Sequence, residues 1–459
     1  MDNREDSLLK ENHEMGEHKV YPTEPLKCWK KSKELRAQYY KDYIDAKQNG
    51  GLRWSGSAWA FHSLPSGLGH DVYSVTGEPY GATSAYFTDF SLQCLQAAER
   101  AGIARDLCGY LRNYWGAILL DKFILPDGTI LKEWPKADFL LTSHICCSHS
   151  KWYQRAGELE GGVPMRGIDV SVGPYPNVQD KKGAVKYVTD QMKRAVEWME
   201  EVTARTYNDE LLIEAINNEF RSLSLWAEIC TYNKGIPAPL DEKTMFTLYV
   251  FTTLNPQRKE IADFYAEILD EVKDRAQRGI AAVANERFRV ITDSQPPWSA
   301  LEFFRYMEKG YGVVSVGSWY TFGLTGAWDE ESDGTLVPLK TLEQKGLKLK
   351  TRDQALEAYA DFRLRNWGWR FFQSIDERIN ITRKLIEQWK VDAVISHLNK
   401  GCEGTSIGQL EVRLDLVKRN IPVMTYEGNM ADERDFDLGR AKDRIDSFLD
   451  SLSLKKIAG

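Results

Sequence analysis

The stretch "ADFLLTSHICCSHS" (residues 137–150) decides the fold reading, because "VDAVISHLNKGC" (391–402) repeats its plan. Each passes from an aspartate through a short apolar segment to a Ser-His pair, and cysteine follows within a few residues. Short apolar runs with polar borders read as buried strands. In open parallel sheets, ligands gather beyond the carboxyl ends of the strands. Ser143 and His144 with Cys146 and Cys147, and Ser396 and His397 with Cys402, are therefore expected at such an edge.

Working outward, "MRGIDVSV" (165–172), "RFRVITD" (287–293), "VVSVGS" (313–318) and "IPVMTYEG" (421–428) also read as strands. Helical patterns separate them at "DFSLQCLQAAERAG" (89–102), "WSALEFFRYMEKGYG" (298–312), 352–389 and "LGRAKDRIDSFLDSL" (438–452). Near-continuous apolar strands alternating with helices mean a parallel sheet covered on both faces. The fold class is α/β: two doubly wound, Rossmann or flavodoxin-like units.

Between them, residues 184–285 read as helix after helix. In "NPQRKEIADFYAEILDEVKDRAQRG" (255–279), Asn255 is the expected N-cap, Pro256 the first helical residue and Gly279 the stop. Ile261, Phe264, Tyr265, Ile268, Leu269 and Val272 make its apolar stripe. Residues 1–50 are charged, with a helix in "ELRAQYYKDYIDAKQNGG" (34–51) stopped by Gly50 and Gly51. Residues 51–85, rich in Gly, Ser, Pro and aromatics, read as loop with short strands. The expected organisation is an N-terminal helical and loop extension (1–85), a first α/β domain with Cys108 and Cys146 (86–183), a helical segment (184–285) and a second α/β domain with Cys402 (286–459).

A chain of 459 residues needs two or three cores, and 42% hydrophobic residues suffice to build them. A net charge of −7 opposes a nucleic-acid partner. No apolar run reaches membrane-spanning length, and "MDNREDSLLKENHEMGEHK" lacks the core of a signal peptide. A cytoplasmic protein is expected. No GxxxxGK[ST] loop is present, so ATP is not expected to bind this chain through a P-loop.

Seven cysteines are too few and too scattered for a disulfide framework, and no CxxC pair occurs. Cys94 and Cys230 lie within helical patterns and read as core; Cys28 reads as incidental. Cys108, in "RDLCGYLRNYWG" (105–116), is a third candidate beside the two strand ends. In extended chain Cys146 and Cys147 point to opposite sides. One would face the crevice and the other would pack, and the pattern alone does not choose between them. Three cysteines meeting in one crevice suggest a catalytic metal or cluster. A [4Fe–4S] cluster takes four protein ligands when saturated, so three leave one iron open.

"LCGYLRNYWGA", "ADFLLTSHICCSHSKWYQ" and "VDAVISHLNKGCEG" followed by "IPVMTYEGNMADERDF" resemble the family of 2-hydroxyacyl-CoA dehydratases and benzoyl-CoA reductases. The resemblance runs from about residue 50 to 455, with Asn429 where the family commonly has Asp. It implies that Cys108, Cys146 and Cys402 ligate a [4Fe–4S] cluster. Lys151 and Tyr153 match the family spacing better from Cys146 than from its rival, Cys147. The details are most similar to the larger cluster-bearing subunit of ATP-dependent benzoyl-CoA reductases. That implies reduction of an aromatic acyl-CoA to a cyclohexa-1,5-diene-1-carbonyl-CoA. It also implies a second related cluster-bearing subunit, an ATP-hydrolysing iron–sulfur activator module of two further subunits, and ferredoxin as electron donor.

Ring reduction needs protons as well as electrons, and histidine is a suited donor near neutral pH. His144 and His397, at matching strand ends, are the candidates, with His149 nearby. Two other readings stand beside this one: a 2-hydroxyacyl-CoA dehydratase subunit, and a scaffold or relay subunit that carries a cluster without substrate chemistry.

Overall fold

The computed structural model describes residues 19–324 and 326–457. The polar N-terminal stretch read as lacking a signal-peptide core lies, but for Lys19, outside the described residues.

Four parallel strands form the first sheet: β1 (Leu52–Gly56), β2 (Val72–Thr76), β3 (Phe139–His144) and β4 (Met165–Asp169), in the order β2-β1-β3-β4. Four more form the second: β5 (Phe288–Thr292), β6 (Val313–Ser318), β7 (Ala393–Asn399) and β8 (Val423–Gly428), in the order β8-β7-β5-β6. Counted within its own unit, each sheet has the order 2-1-3-4. The chain moves outward from the first strand to the second, then crosses back to the third. The first and third strands thus flank a topological switch point, where their outgoing loops part and leave a crevice. β3 and β7 are those third strands, so Cys146 and Cys402 follow them at equivalent places.

Burial explains the strands. Phe139, Leu140 and Leu141 of β3 are fully buried, and all five residues of β5 are buried. Sheets covered by helices on both faces require such unbroken apolar runs.

Three expectations change in detail. The loop-rich segment 51–85 contributes β1 and β2, half of the first sheet. The helix expected from Pro256 begins at Lys259 and ends, as expected, at Gly279 with φ +67°. Asn255 instead closes the short helix Phe251–Leu254. Tertiary bonds hold the intervening turn: the Pro256 carbonyl accepts from Ser222 Oγ at 2.8 Å, and Arg258 reaches the Val72 carbonyl at 2.8 Å. The stretch 352–389 is three helices, Arg352–Leu364, Trp367–Gln373 and Ile375–Gln388. Asn366 and Ser374 cap the second and third with their side chains. Among the described residues, no helix is long and apolar enough to cross a membrane.

Candidate functional site

Three candidate cysteines occupy one kind of position. Cys108 precedes helix Gly109–Leu119, Cys146 precedes Cys147–Leu159, and Cys402 precedes the single turn Glu403–Ser406. A sulfur at the start of a full helix lies near its partial positive end, which favours thiolate. The three come from distant parts of the chain yet lie close enough to feel one another's charge. The Cys108 thiol is raised by burial, then by Cys402 and Cys146; Cys402 is raised by burial and by Cys146.

The seam between the two units makes this possible. Gly401 adopts φ +76°, and a Cβ there would sit 2.8 Å from the Leu107 carbonyl oxygen. Only glycine lets the Cys402 loop approach the Cys108 loop so closely. Residues just after Cys108 clamp the contact. Arg112, fully buried, pairs with buried Asp432 at 3.0 Å. Asn113 donates to the Ala431 carbonyl at 3.0 Å, and Trp298 Nε1 donates to the Tyr110 hydroxyl at 2.5 Å.

The two adjacent cysteines diverge. Cys146 is extended (φ −147°, ψ 170°), whereas Cys147 opens the helix. Cys146 Sγ lies 3.6 Å from His149 Nδ1. Cys147 is exposed and donates its thiol hydrogen to Glu403. It does not pack inward, as strand alternation implied, because the chain turns helical at that residue. Burial raises the Cys146 thiol, but the neighbouring His149 reverses the direction and holds it low. Burial and the bond to Glu403 push Cys147 up to about 11, keeping it a thiol. At Cys402, Gln295 Nε2 donates to the sulfur at 3.8 Å. Cys94 and Cys230 are wholly buried within helices; Cys28 precedes the first helix, its amide bonded to Glu271.

The histidines differ more. His144 is exposed and sits 3.6 Å from Asp169, its neighbour across β4. His397 is buried, with Nδ1 at 2.7 Å from the Gln295 carbonyl and its ring stacked on Tyr426 at 4.6 Å. Burial lowers it to about 4, so it is neutral at physiological pH. Neither is bonded to a candidate sulfur; His149 is. Burial opposes charge on His149, but Cys146 and Glu78 together raise it to about 10. Lys151 is exposed and bonds Gln154. Tyr153 is buried, its hydroxyl without a hydrogen-bond partner among the described residues. Glu78 and Gln295 escaped the sequence reading. Glu78 precedes His149 by 71 residues and Gln295 precedes Cys402 by 107, and neither carries a local signal.

An open cleft of about 790 Å³ lies against Cys146 and Cys147, with Ile145, Phe371, Phe372 and Glu403 among its lining. In "NWGWRFF" (366–372), Trp367 and Trp369 are core, while the two phenylalanines face the cleft. Among the described residues, no three His, Cys, Asp or Glu side chains converge as ligands of a single metal ion.

Residues 81–452 match the family model described as 2-hydroxyglutaryl-CoA dehydratase, D-component, and the chain belongs to that family. Curated relatives include the (R)-phenyllactyl-CoA dehydratase alpha subunit of Clostridium sporogenes, 23% identical over 94% of this chain and 98% of its own length. A benzoyl-CoA reductase subunit of Thauera aromatica is 23% identical over 78% of this chain and 79% of its own. The alpha subunit of (R)-2-hydroxyglutaryl-CoA dehydratase from Acidaminococcus fermentans is 23% identical over 69% of this chain, which spans only 61% of that relative. The family thus takes in subunits of both acyl-CoA dehydratases and a benzoyl-CoA reductase.

Proposed function

We propose that this chain is the cluster-bearing subunit of a hetero-oligomeric enzyme that reduces an aromatic acyl-CoA, benzoyl-CoA or a substituted form, to the cyclohexa-1,5-diene-1-carbonyl-CoA. The observation that carries this reading is that Cys108, Cys146 and Cys402 lie near enough to influence one another's thiols, with Cys146 lining an open cleft that Phe371 and Phe372 also line. A single ion needs its ligands to converge on one point; a four-iron cube needs one thiolate per iron at separate corners. The three thiols suit the second arrangement, with Cys146 the ligand and Cys147 held back by Glu403. Such a [4Fe–4S] cluster supplies single low-potential electrons. The chain's own part is to hold the sulfurs through His149 and Gln295, and to take an apolar acyl group against Phe371 and Phe372. Of the two strand-end histidines, exposed His144 is the one free to exchange protons with solvent. On this reading both α/β domains contribute to one site.

A second related subunit, an ATP-hydrolysing iron–sulfur module and ferredoxin complete the enzyme in the cytoplasm. The missing phosphate loop supports ATP binding on another chain. A second reading, dehydration of a 2-hydroxyacyl-CoA, is favoured by the end-to-end match to a phenyllactyl-CoA dehydratase subunit.

The test is electron stoichiometry in the anaerobic, reconstituted complex. Ring reduction consumes electrons in proportion to product, whereas dehydration recycles them. Turnover of a 2-hydroxyacyl-CoA with only catalytic electrons would move the assignment to the second reading. A complex that binds neither substrate would leave a relay role.

A further inference from the structure

His149 is framed by three elements of the first unit. Its Nε2 meets Glu78, in the first turn of helix Gly77–Tyr86 after β2. The other Glu78 oxygen accepts the Ala58 amide at 2.7 Å, in the loop after β1. The ring lies between Trp59 and Trp152, at 5.5 and 5.9 Å between centroids. Gly77 permits this approach, since a Cβ there would overlap Tyr153 Oη and sit 2.8 Å from the Trp152 ring. Both His149 and Glu78 are buried.

A buried ionic pair is costly to desolvate and contributes little net stability. Its geometry here has a consequence at the sulfur. His149 Nδ1 faces the Cys146 sulfur at 3.6 Å while Nε2 is held by Glu78, so the ring is fixed with one nitrogen directed at that sulfur, which as a metal-bound thiolate could only accept. Cys402 has a different neighbour, the neutral amide of Gln295 at 3.8 Å.

We infer that Glu78 and His149 are a positioning pair that fixes a hydrogen bond on the Cys146 sulfur and thereby raises the reduction potential of the cluster it ligates. This rests on the cluster reading proposed above. Hydrogen bonds to cluster sulfurs stabilise the more electron-rich, reduced state. Glu78 acts through His149, not on the substrate.

The experiment is a redox titration of the anaerobically purified protein, followed by electron paramagnetic resonance, with iron content measured in parallel. His149→Leu should keep its iron and titrate lower, with about a tenfold change in the reduction equilibrium, or ~59 mV for one electron. His149→Gln, which keeps a neutral donor, should fall between. Glu78→Gln should lower the potential in the wild-type background and change nothing further beside His149→Leu, since it acts through that ring. An unmoved potential in iron-replete His149→Leu would overturn the inference. Should that variant lose iron, His149→Gln decides: iron retained at an intermediate potential upholds the role, and iron lost or potential unmoved overturns it. Iron-free wild-type protein is a separate failure, that of the proposed function itself.

Discussion

At the end of β3 the histidine of the Ser-His pair opens onto solvent while Ser143 stays buried; at the end of β7 both members of the pair are closed over. The strand alongside makes the difference. β4 sets Asp169 opposite His144, and the two remain accessible as a polar pair. β8 sets Tyr426 opposite His397, and the stacked rings are packed against Phe303 and Phe436. The sulfurs diverge as well. Cys146 follows its histidine by two residues and starts a 13-residue helix; Cys402 follows by five and starts a four-residue turn. Position at the switch point is common to both ends, while charge, solvation and hydrogen bonding are not. A topology repeated twice can therefore place two cysteines equivalently and still surround them differently.

The largest expected effect tests the shared part. Cys108→Ser, Cys146→Ser and Cys402→Ser should each lose most of the iron and visible colour of anaerobically prepared protein, while Cys147→Ser keeps both. Iron retained in Cys146→Ser but lost in Cys147→Ser would reverse the assignment of the adjacent pair.

The seam comes next. Arg112→Met strips Asp432 of its buried partner. Breaking buried pairs costs about 3–5 kcal/mol; Arg434, 2.7 Å from the same carboxylate, should keep the loss near the low end. Urea unfolding measures it, and a loss below about 1 kcal/mol would remove Arg112 from the seam's support. Gly401→Ala should destabilise by about 1–3 kcal/mol through its left-handed backbone and its contact with Leu107. Gly161→Ala, also left-handed but with open space around it, should cost less. Equal losses would show that the close approach of the two loops contributes nothing.

The histidines sharpen the contrast further. His397 binds its proton in the folded state only near pH 4, against about 6.5 when unfolded. Between those values the unfolded chain holds the proton and the folded chain does not, so stability falls as pH falls. His397→Phe should remove up to about 3 kcal/mol of that acid-side slope, seen as a smaller difference between urea midpoints at about pH 7 and pH 4.5. A slope identical to wild type would contradict burial of a neutral ring. The smallest effect belongs to His144→Ala. Exposed as it is, it should change stability by less than about 0.5 kcal/mol. Any loss of turnover in that variant would then report on proton delivery and not on folding.

Much of this was legible in residue order. Apolar runs at 139–141 and 393–395, each leading to Ser-His, announce buried parallel strands because a doubly covered sheet tolerates polar groups only near its ends. The polar stop at Gly279 and the helical stripe from Ile261 to Val272 are equally local signals. β1 and β2 were less plain, since Gly, Ser and Pro surround them and they join the rest of the sheet only through the pairing of β1 with β3, 85 residues ahead. The start of helix Lys259–Arg278 depends on bonds to Ser222 and Val72, which no window around Pro256 contains.

By itself the sequence determined the class of fold, the two strand-end echoes and three cysteines as candidate ligands. Those follow from hydrophobic periodicity and residue chemistry, which act over a few neighbours. Tertiary structure alone decided that Gly401 brings Cys402 against the Cys108 loop, that Cys147 turns to Glu403, and that His149 stands between Glu78 and Cys146. Each of these depends on distance and burial between segments remote in the chain. A hydrogen bond or an ion pair exists only where folding has already excluded water and set the partners within reach.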